Sequence, residues 1–122
     1  PQDLLDAAHA MAKSPQSSTI EICSHPDRAL EQATVVVTDT WVSMGQESER
    51  GREETQRVFA PYRVDEGAMA KAAKGAIFMH CLPAVVGDEV TAEVLRGPQS
   101  VILDEAENRL WTAMAVLWWA LE

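Results

Sequence analysis

Apolar and polar positions change period several times along the chain, and each change predicts an element. Residues 3–12 (DLLDAAHAMA) carry apolar side chains at helical spacing and predict a helix. Lys13-Ser14-Pro15-Gln16-Ser17-Ser18 is polar and broken by proline, which predicts a loop. Thr19-Ile20-Glu21-Ile22-Cys23 alternates and is β-branched, which predicts a strand. Ser24-His25-Pro26-Asp27 opens a short helix to about residue 33, with proline early, where its missing N–H costs nothing. Residues 34–38 form an apolar run that predicts a buried strand. Residues 45–57 are densely charged, with Glu47, Glu49, Glu53 and Glu54 among Arg50, Arg52 and Arg57. That stretch predicts a loop followed by a solvated helix with i,i+4 pairs. A helix over 65–73 capped by Asp65, a strand over 75–79 and a short helix over 88–95 follow. Gly97-Pro98 makes a turn, residues 100–103 a short strand, and residues 105–121 the last helix. Apolar strands alternating with helices predict an α/β fold: a three-layer, Rossmann-like parallel sheet with helices on both faces.

Composition narrows the function classes. The chain has 122 residues, 47% apolar and 24% charged, which suits one globular domain with its own core. No apolar run approaches the roughly 20 residues of a membrane span, and the start shows no signal-peptide pattern. The first residue is Pro1 rather than methionine, so the true beginning is expected upstream. A net charge of −9 argues against nucleic acid and against a lone grip on a multiply charged phosphate; it suits a cationic partner better. Two cysteines, Cys23 and Cys81, make neither a disulfide framework nor a paired metal motif and predict thiols in a reducing, cytoplasmic compartment. His9 and His25 lack metal-ligand spacing, and no metal or cofactor is assigned.

The candidate chemistry lies where strands end. His80-Cys81-Leu82-Pro83 follows the strand-like Ala76-Ile77-Phe78-Met79, and Asp39-Thr40-Trp41-Val42-Ser43-Met44-Gly45 follows Val35-Val36-Val37. In open α/β sheets, ligands bind outside the carboxyl ends of strands. Cys81 reads as an inert buried thiol or as a thiol poised by the neighbouring imidazole or an incoming cation. Asp39 reads as a turn cap or as the partner of a substrate ammonium. Ser43-Met44-Gly45 reads as a plain turn or as a flexible loop that folds over a ligand. Arg109, about one turn inside the last helix, suits an oxygen gaining charge, or a salt bridge to Glu105 four residues earlier. Trp111, Trp118 and Trp119 read as core or interface packing. The chain has no GxGxxG, P-loop or serine-nucleophile elbow.

Taken together, Asp39-Thr40-Trp41-Val42-Ser43-Met44-Gly45-Gln46-Glu47, His80-Cys81-Leu82-Pro83 and Asp104-Glu105-Ala106-Glu107-Asn108-Arg109 resemble three signatures of ornithine carbamoyltransferase, in the family's order and spacing. The similarity is weakest before about residue 30. Aspartate carbamoyltransferases lack the cysteine motif and the Ser-Met-Gly loop, while relatives acting on putrescine or acylated ornithine differ at that loop. The resemblance therefore favours ornithine. It implies that residues 1–122 are part of the ornithine-binding domain and that the carbamoyl-phosphate-binding domain, with its Ser-x-Arg-Thr-Arg motif, is absent. It implies that Asp39, Ser43 and Met44 hold L-ornithine. Cys81 and Leu82 would line the meeting point with carbamoyl phosphate, Arg109 would hold the carbamoyl group, and His80 would assist at its carbonyl oxygen. The implied reaction is carbamoyl transfer to the side-chain amine of ornithine, giving citrulline and phosphate, by an enzyme that is a homotrimer when complete. The isolated chain is expected to be inactive. Two other readings stand beside it: a carbamoyltransferase relative for another amine or amino acid, and a non-catalytic binding module that kept the fold.

Overall fold

In a computed structural model of the chain, the described residues are 2–12, 19–42 and 49–122. Their helices are α1 (Gln2–Met11), α2 (Pro26–Leu30), α3 (Glu49–Phe59), α4 (Glu66–Lys71), α5 (Ala92–Leu95) and α6 (Ile102–Leu121); their strands are β1 (Val35–Thr38) and β2 (Ile77–His80). A 3-10 turn, Ala60–Tyr62, follows α3. The strands pair in parallel, with Val35 opposite Ile77 and Thr38 opposite His80. This register brings both strand ends together, so Asp39 and Cys81 each leave the sheet one residue later at the same edge. The mixture of helices and parallel strands is the predicted α/β class.

Phe78 is the centre of the core and is fully enclosed, as is Val90; Val36, Val64, Ala68, Met69, Ala76 and Val94 complete the buried cluster. Beyond β2 the chain returns alongside Phe78, whose N–H donates to Gln99 O at 2.8 Å and whose carbonyl accepts Val101 N–H at 3.0 Å. The strand expected over 100–103 is thus only a parallel bridge between Phe78 and Ser100, because α6 begins at Ile102. The segment 19–23 has no ladder partner among the described residues, so its β-branched alternation does not produce a strand. The helix expected over 88–95 is confined to Ala92–Leu95, with Thr91 as its cap. Residues 87–89 form a turn instead, and Val90 makes a parallel bridge with Val64: Val64 N–H donates to Glu89 O at 2.9 Å, and Thr91 N–H to Val64 O at 3.1 Å. A Cβ on Gly97 would lie 2.5 Å from Glu93 O, so the turn after α5 has no room for a side chain.

Local signals held where they acted locally. Asp65 caps α4, its Oδ1 accepting Ala68 N–H at 2.7 Å. Pro26 opens α2. The charged run does form a helix, α3, but Arg52 and Gln56 on it dock onto Asp88 rather than serving only as a solvated face. The tryptophans of α6 are open to solvent in this chain, 55% exposed at Trp111, 70% at Trp118 and 79% at Trp119, so they do not enter its core. No described helix is long and apolar enough to cross a membrane.

Candidate functional site

The site begins with two strand ends in register. Asp39 follows β1, and its Oδ1 accepts Thr40 N–H at 2.7 Å. The same oxygen accepts the Cys81 thiol at 3.2 Å, across 42 residues of sequence. The carboxylate thus bonds its own neighbour and also reaches the second segment. Cys81 is an exposed free cysteine, not the buried small hydrophobe that its strand-end position permits. Thiol donation, first, and the Thr40 N–H, second, hold the Asp39 carboxyl below the usual carboxylate range. The Cys81 thiol is pushed up, chiefly by its bond to Asp39, then by desolvation and by the charges of Asp39 and Glu105. The neighbouring imidazole thus does not generate a thiolate here; the adjacent carboxylate preserves the thiol.

His80 is almost wholly buried, 1% exposed, and both of its ring nitrogens are engaged. Nδ1 accepts Leu82 N–H at 2.9 Å. A neutral imidazole that accepts at Nδ1 carries its proton on Nε2. Nε2 lies 3.2 Å from Glu89 Oε1, which it therefore reaches as a donor. Glu89 Oε1 also accepts Val85 N–H at 2.5 Å, and its Oε2 is buried with no hydrogen-bond partner among the described residues. The imidazole expected beside a substrate carbonyl is instead enclosed beneath the turn that carries Cys81 and Leu82. Leu82 has φ +55, a left-handed conformation uncommon for a leucine, and the Leu82–Pro83 peptide is cis. The hydrogen bond from Leu82 N–H to the buried ring helps to define that conformation.

On the other side of β2, Glu105 Oε2 accepts His80 N–H at 2.9 Å. This use of Glu105 goes beyond the helix-dipole role its place in the first turn suggests. The alternative Glu105–Arg109 bridge is not formed among the described residues. Arg109 lies about two turns inside α6, because the helix starts three residues earlier than expected, and its side chain is exposed. It makes no hydrogen bond or ion pair with Asp39, Cys81 or Leu82. Ser43 and Met44 lie outside the described residues. Asp39, His80, Cys81 and Leu82 are thus brought together.

Two acidic residues missed by sequence reasoning, Asp88 and Glu89, complete the surroundings, together with Glu105. Glu89 carries the one available signal, since a buried histidine needs a polar partner and Glu89 follows the motif within nine residues. An open groove of about 1020 Å³ runs along β1 and ends at Asp39, Thr40 and Trp41. Its far wall includes Phe59 and Arg63, whose guanidinium sits 6.0 Å from the centre of the Trp41 ring.

Comparison with known proteins gives the same direction. The family model described as aspartate/ornithine carbamoyltransferase, Asp/Orn binding domain, matches residues 1–120. The ornithine carbamoyltransferase of Methanobrevibacter smithii is 50% identical over 117 residues, which cover 96% of this chain and 38% of that protein. That of Rhizobium johnstonii is 51% identical over 106 residues, 87% of this chain and 34% of the relative. Among solved structures, the ornithine carbamoyltransferase from Pyrococcus furiosus superposes with a TM-score of 0.83 at 40% identity, covering 96% of this chain and 36% of that one. N-acetyl-L-ornithine transcarbamylase, as a K302A mutant complexed with PALAO, has a TM-score of 0.74 at 28% identity, with 96% and 35% covered. The chain therefore spans little more than a third of the length of these relatives. With paired strand ends, a thiol–carboxylate contact between them and a family match over nearly every residue, this chain belongs to the aspartate/ornithine carbamoyltransferase family, within its Asp/Orn binding domain.

Proposed function

We propose that the chain supplies the ornithine half-site for carbamoyl transfer from carbamoyl phosphate to the side-chain amine of L-ornithine, giving L-citrulline and phosphate. The observation that carries this reading is the 3.2 Å contact between the Cys81 thiol and Asp39 at the joined strand ends. The ornithine amine resembles that of lysine, whose pKa is about 10.4 in water, so it arrives as a cation and must lose a proton before it attacks. Asp39, held ionised, pairs with the ammonium. Cys81 keeps its own proton and donates it to Asp39, so the vacant proton site of the pair is the ionised Asp39 carboxylate. The neutral nitrogen forms a bond to the carbamoyl carbon, the bond from that carbon to the phosphate oxygen breaks, and phosphate departs with the electron pair. Nitrogen loses two protons in all: the first, from the ammonium, passes before attack to the Asp39–Cys81 pair, whose titration belongs to both groups, and the second leaves after the carbon–nitrogen bond forms and is taken by the departing phosphate. Arg109 stabilises charge on the carbamoyl oxygen, and Ser43 and Met44 hold the amino-acid end. His80, through its buried ring, holds the turn that presents Cys81 and Leu82. Much of the acceleration is positioning of two substrates in one closed cleft.

The chain spans little more than a third of its relatives' length, and in this reading carbamoyl phosphate is held by a second domain and the complete enzyme is a homotrimer. Citrulline should form when this chain is joined to a carbamoyl-phosphate-binding domain and given L-ornithine and carbamoyl phosphate. Cys81→Ser in that protein should raise KM for ornithine and lower kcat. Unchanged constants would remove Cys81 from the mechanism, and a preference for putrescine over ornithine would overturn the substrate.

A further inference from the structure

The dipeptide Asp88-Glu89 joins two parts of the fold that the proposed chemistry does not itself connect. Glu89 holds the turn that follows β2 by accepting from Val85 N–H and from His80 Nε2. Its neighbour Asp88, 8% exposed, engages a different element. Gln56 Nε2 donates to Asp88 Oδ1 at 2.6 Å, and Arg52 pairs with Oδ2 at 3.3 Å. Those residues are four apart on α3 and share one face. Arg63 Nε donates to the Asp88 carbonyl at 2.7 Å, and Asp88 N–H donates to Val85 O at 3.0 Å. An isolated surface ion pair contributes little. Asp88 differs because its carboxylate is largely enclosed and receives a second, uncharged donor.

We propose that Asp88 is a positioning residue for the Cys81–Leu82 turn: anchored by Arg52 and Gln56 of α3, it fixes the Glu89 carboxylate that holds His80 and Val85, and so sets the approach of Cys81 to Asp39. The meaning of this coupling for a bound amine rests on the carbamoyl-transfer reading; the coupling itself is measurable without substrate. Cys81 faces Asp39 across the cleft and lies near Glu105 of α6, with His80 preceding it in its own turn. Loosening the turn weakens the hold of Asp39 on the thiol.

The test is the pH profile of iodoacetamide alkylation at Cys81, followed by mass spectrometry of its peptide so that Cys23 is scored separately. Asp88→Leu and the double variant Arg52→Met/Gln56→Leu should each move the midpoint down by about half a pH unit, or about threefold faster alkylation below it, because the thiolate is the reactive species. Arg52→Lys keeps a donor for Asp88 and should retain the original midpoint, as should Arg57→Ala, which removes a charge elsewhere on α3. A loss of fold stability alone would lower the melting temperature without moving the midpoint of the folded protein. Should Asp88→Leu fail to fold, the double variant decides, since it alters only the α3 side. An unchanged midpoint in the folded double variant overturns the proposal. Protection of Cys81 by added ornithine, read in the same assay, tests the carbamoyl-transfer reading separately.

Discussion

A thiol that donates to a carboxylate becomes harder to ionise, while the carboxylate becomes harder to protonate; Cys81 and Asp39 show both halves of this effect. Asp39→Asn removes the charge while keeping an oxygen, and should shift the pH midpoint of Cys81 alkylation downward; an unmoved midpoint would show that Asp39 does not control the thiol. The raised thiol has a consequence of definite sign. Its bond to Asp39 stabilises the fold below the ordinary thiol range and is lost as pH rises through the raised pKa. The stability difference between the protein and Cys81→Ala should therefore shrink in alkali, as urea titrations at several pH values would reveal. Asp39 behaves oppositely: its contribution is present above the ordinary carboxylate range and fades as pH falls through its depressed pKa. Glu89 offers a sharper contrast. Glu89→Leu strands the buried His80 Nε2–H, at about 1–3 kcal/mol, and removes the acceptor of Val85 N–H, whereas Glu89→Gln retains an accepting oxygen and should cost less. Urea midpoints of the two variants check the difference. Asp39 and Cys81 could be picked out of the sequence as chemically interesting, but the bond between them could not, because 42 residues separate them and no local period links them.

Elements follow the sequence as far as their causes are local. Asp65 caps α4 because its carboxylate reaches Ala68 N–H within one turn, and removing it with Asp65→Ala should cost about 1 kcal/mol. Thermal melts of the two proteins measure that loss. The apolar runs at β1 and β2 were legible for the same reason, since backbone sterics and side-chain alternation act over a few residues. The segment 19–23 carries equally good β-branched alternation, yet a strand needs a neighbour and none of the described residues pairs with it. The stretch 88–95 shows the converse. Its helical signal is real from Thr91 onward, but the turn at 87–89 and the bridge of Val90 with Val64 take the preceding residues away. Arg109 was placed too near the start of α6 because bonding around Phe78 brings the helix start forward to Ile102.

Across the whole molecule, a small core carries a site at its rim. Phe78 is fully enclosed in that core and lies two residues before His80, so a cavity there acts on both stability and site geometry. Phe78→Ala should cost about 3–5 kcal/mol, a large part of the 5–15 kcal/mol that holds an ordinary domain folded. Circular dichroism should show a much lower melting temperature or an unfolded chain; a melt close to the original would mean that Phe78 is not the centre of the core. The sequence by itself determined the α/β class, the apolar runs that become β1 and β2, the Asp65 cap and the chemical groups waiting at the strand ends, because these depend on periodicity, backbone freedom and residue type within a few positions. Only the tertiary structure decided that Cys81 meets Asp39, that the ring of His80 turns inward to Glu89, that Glu105 receives the N–H of His80 and that Asp88 ties α3 to the site turn. Those choices depend on distance through space and on competition among several carboxylates for a few buried donors, and a linear pattern carries neither.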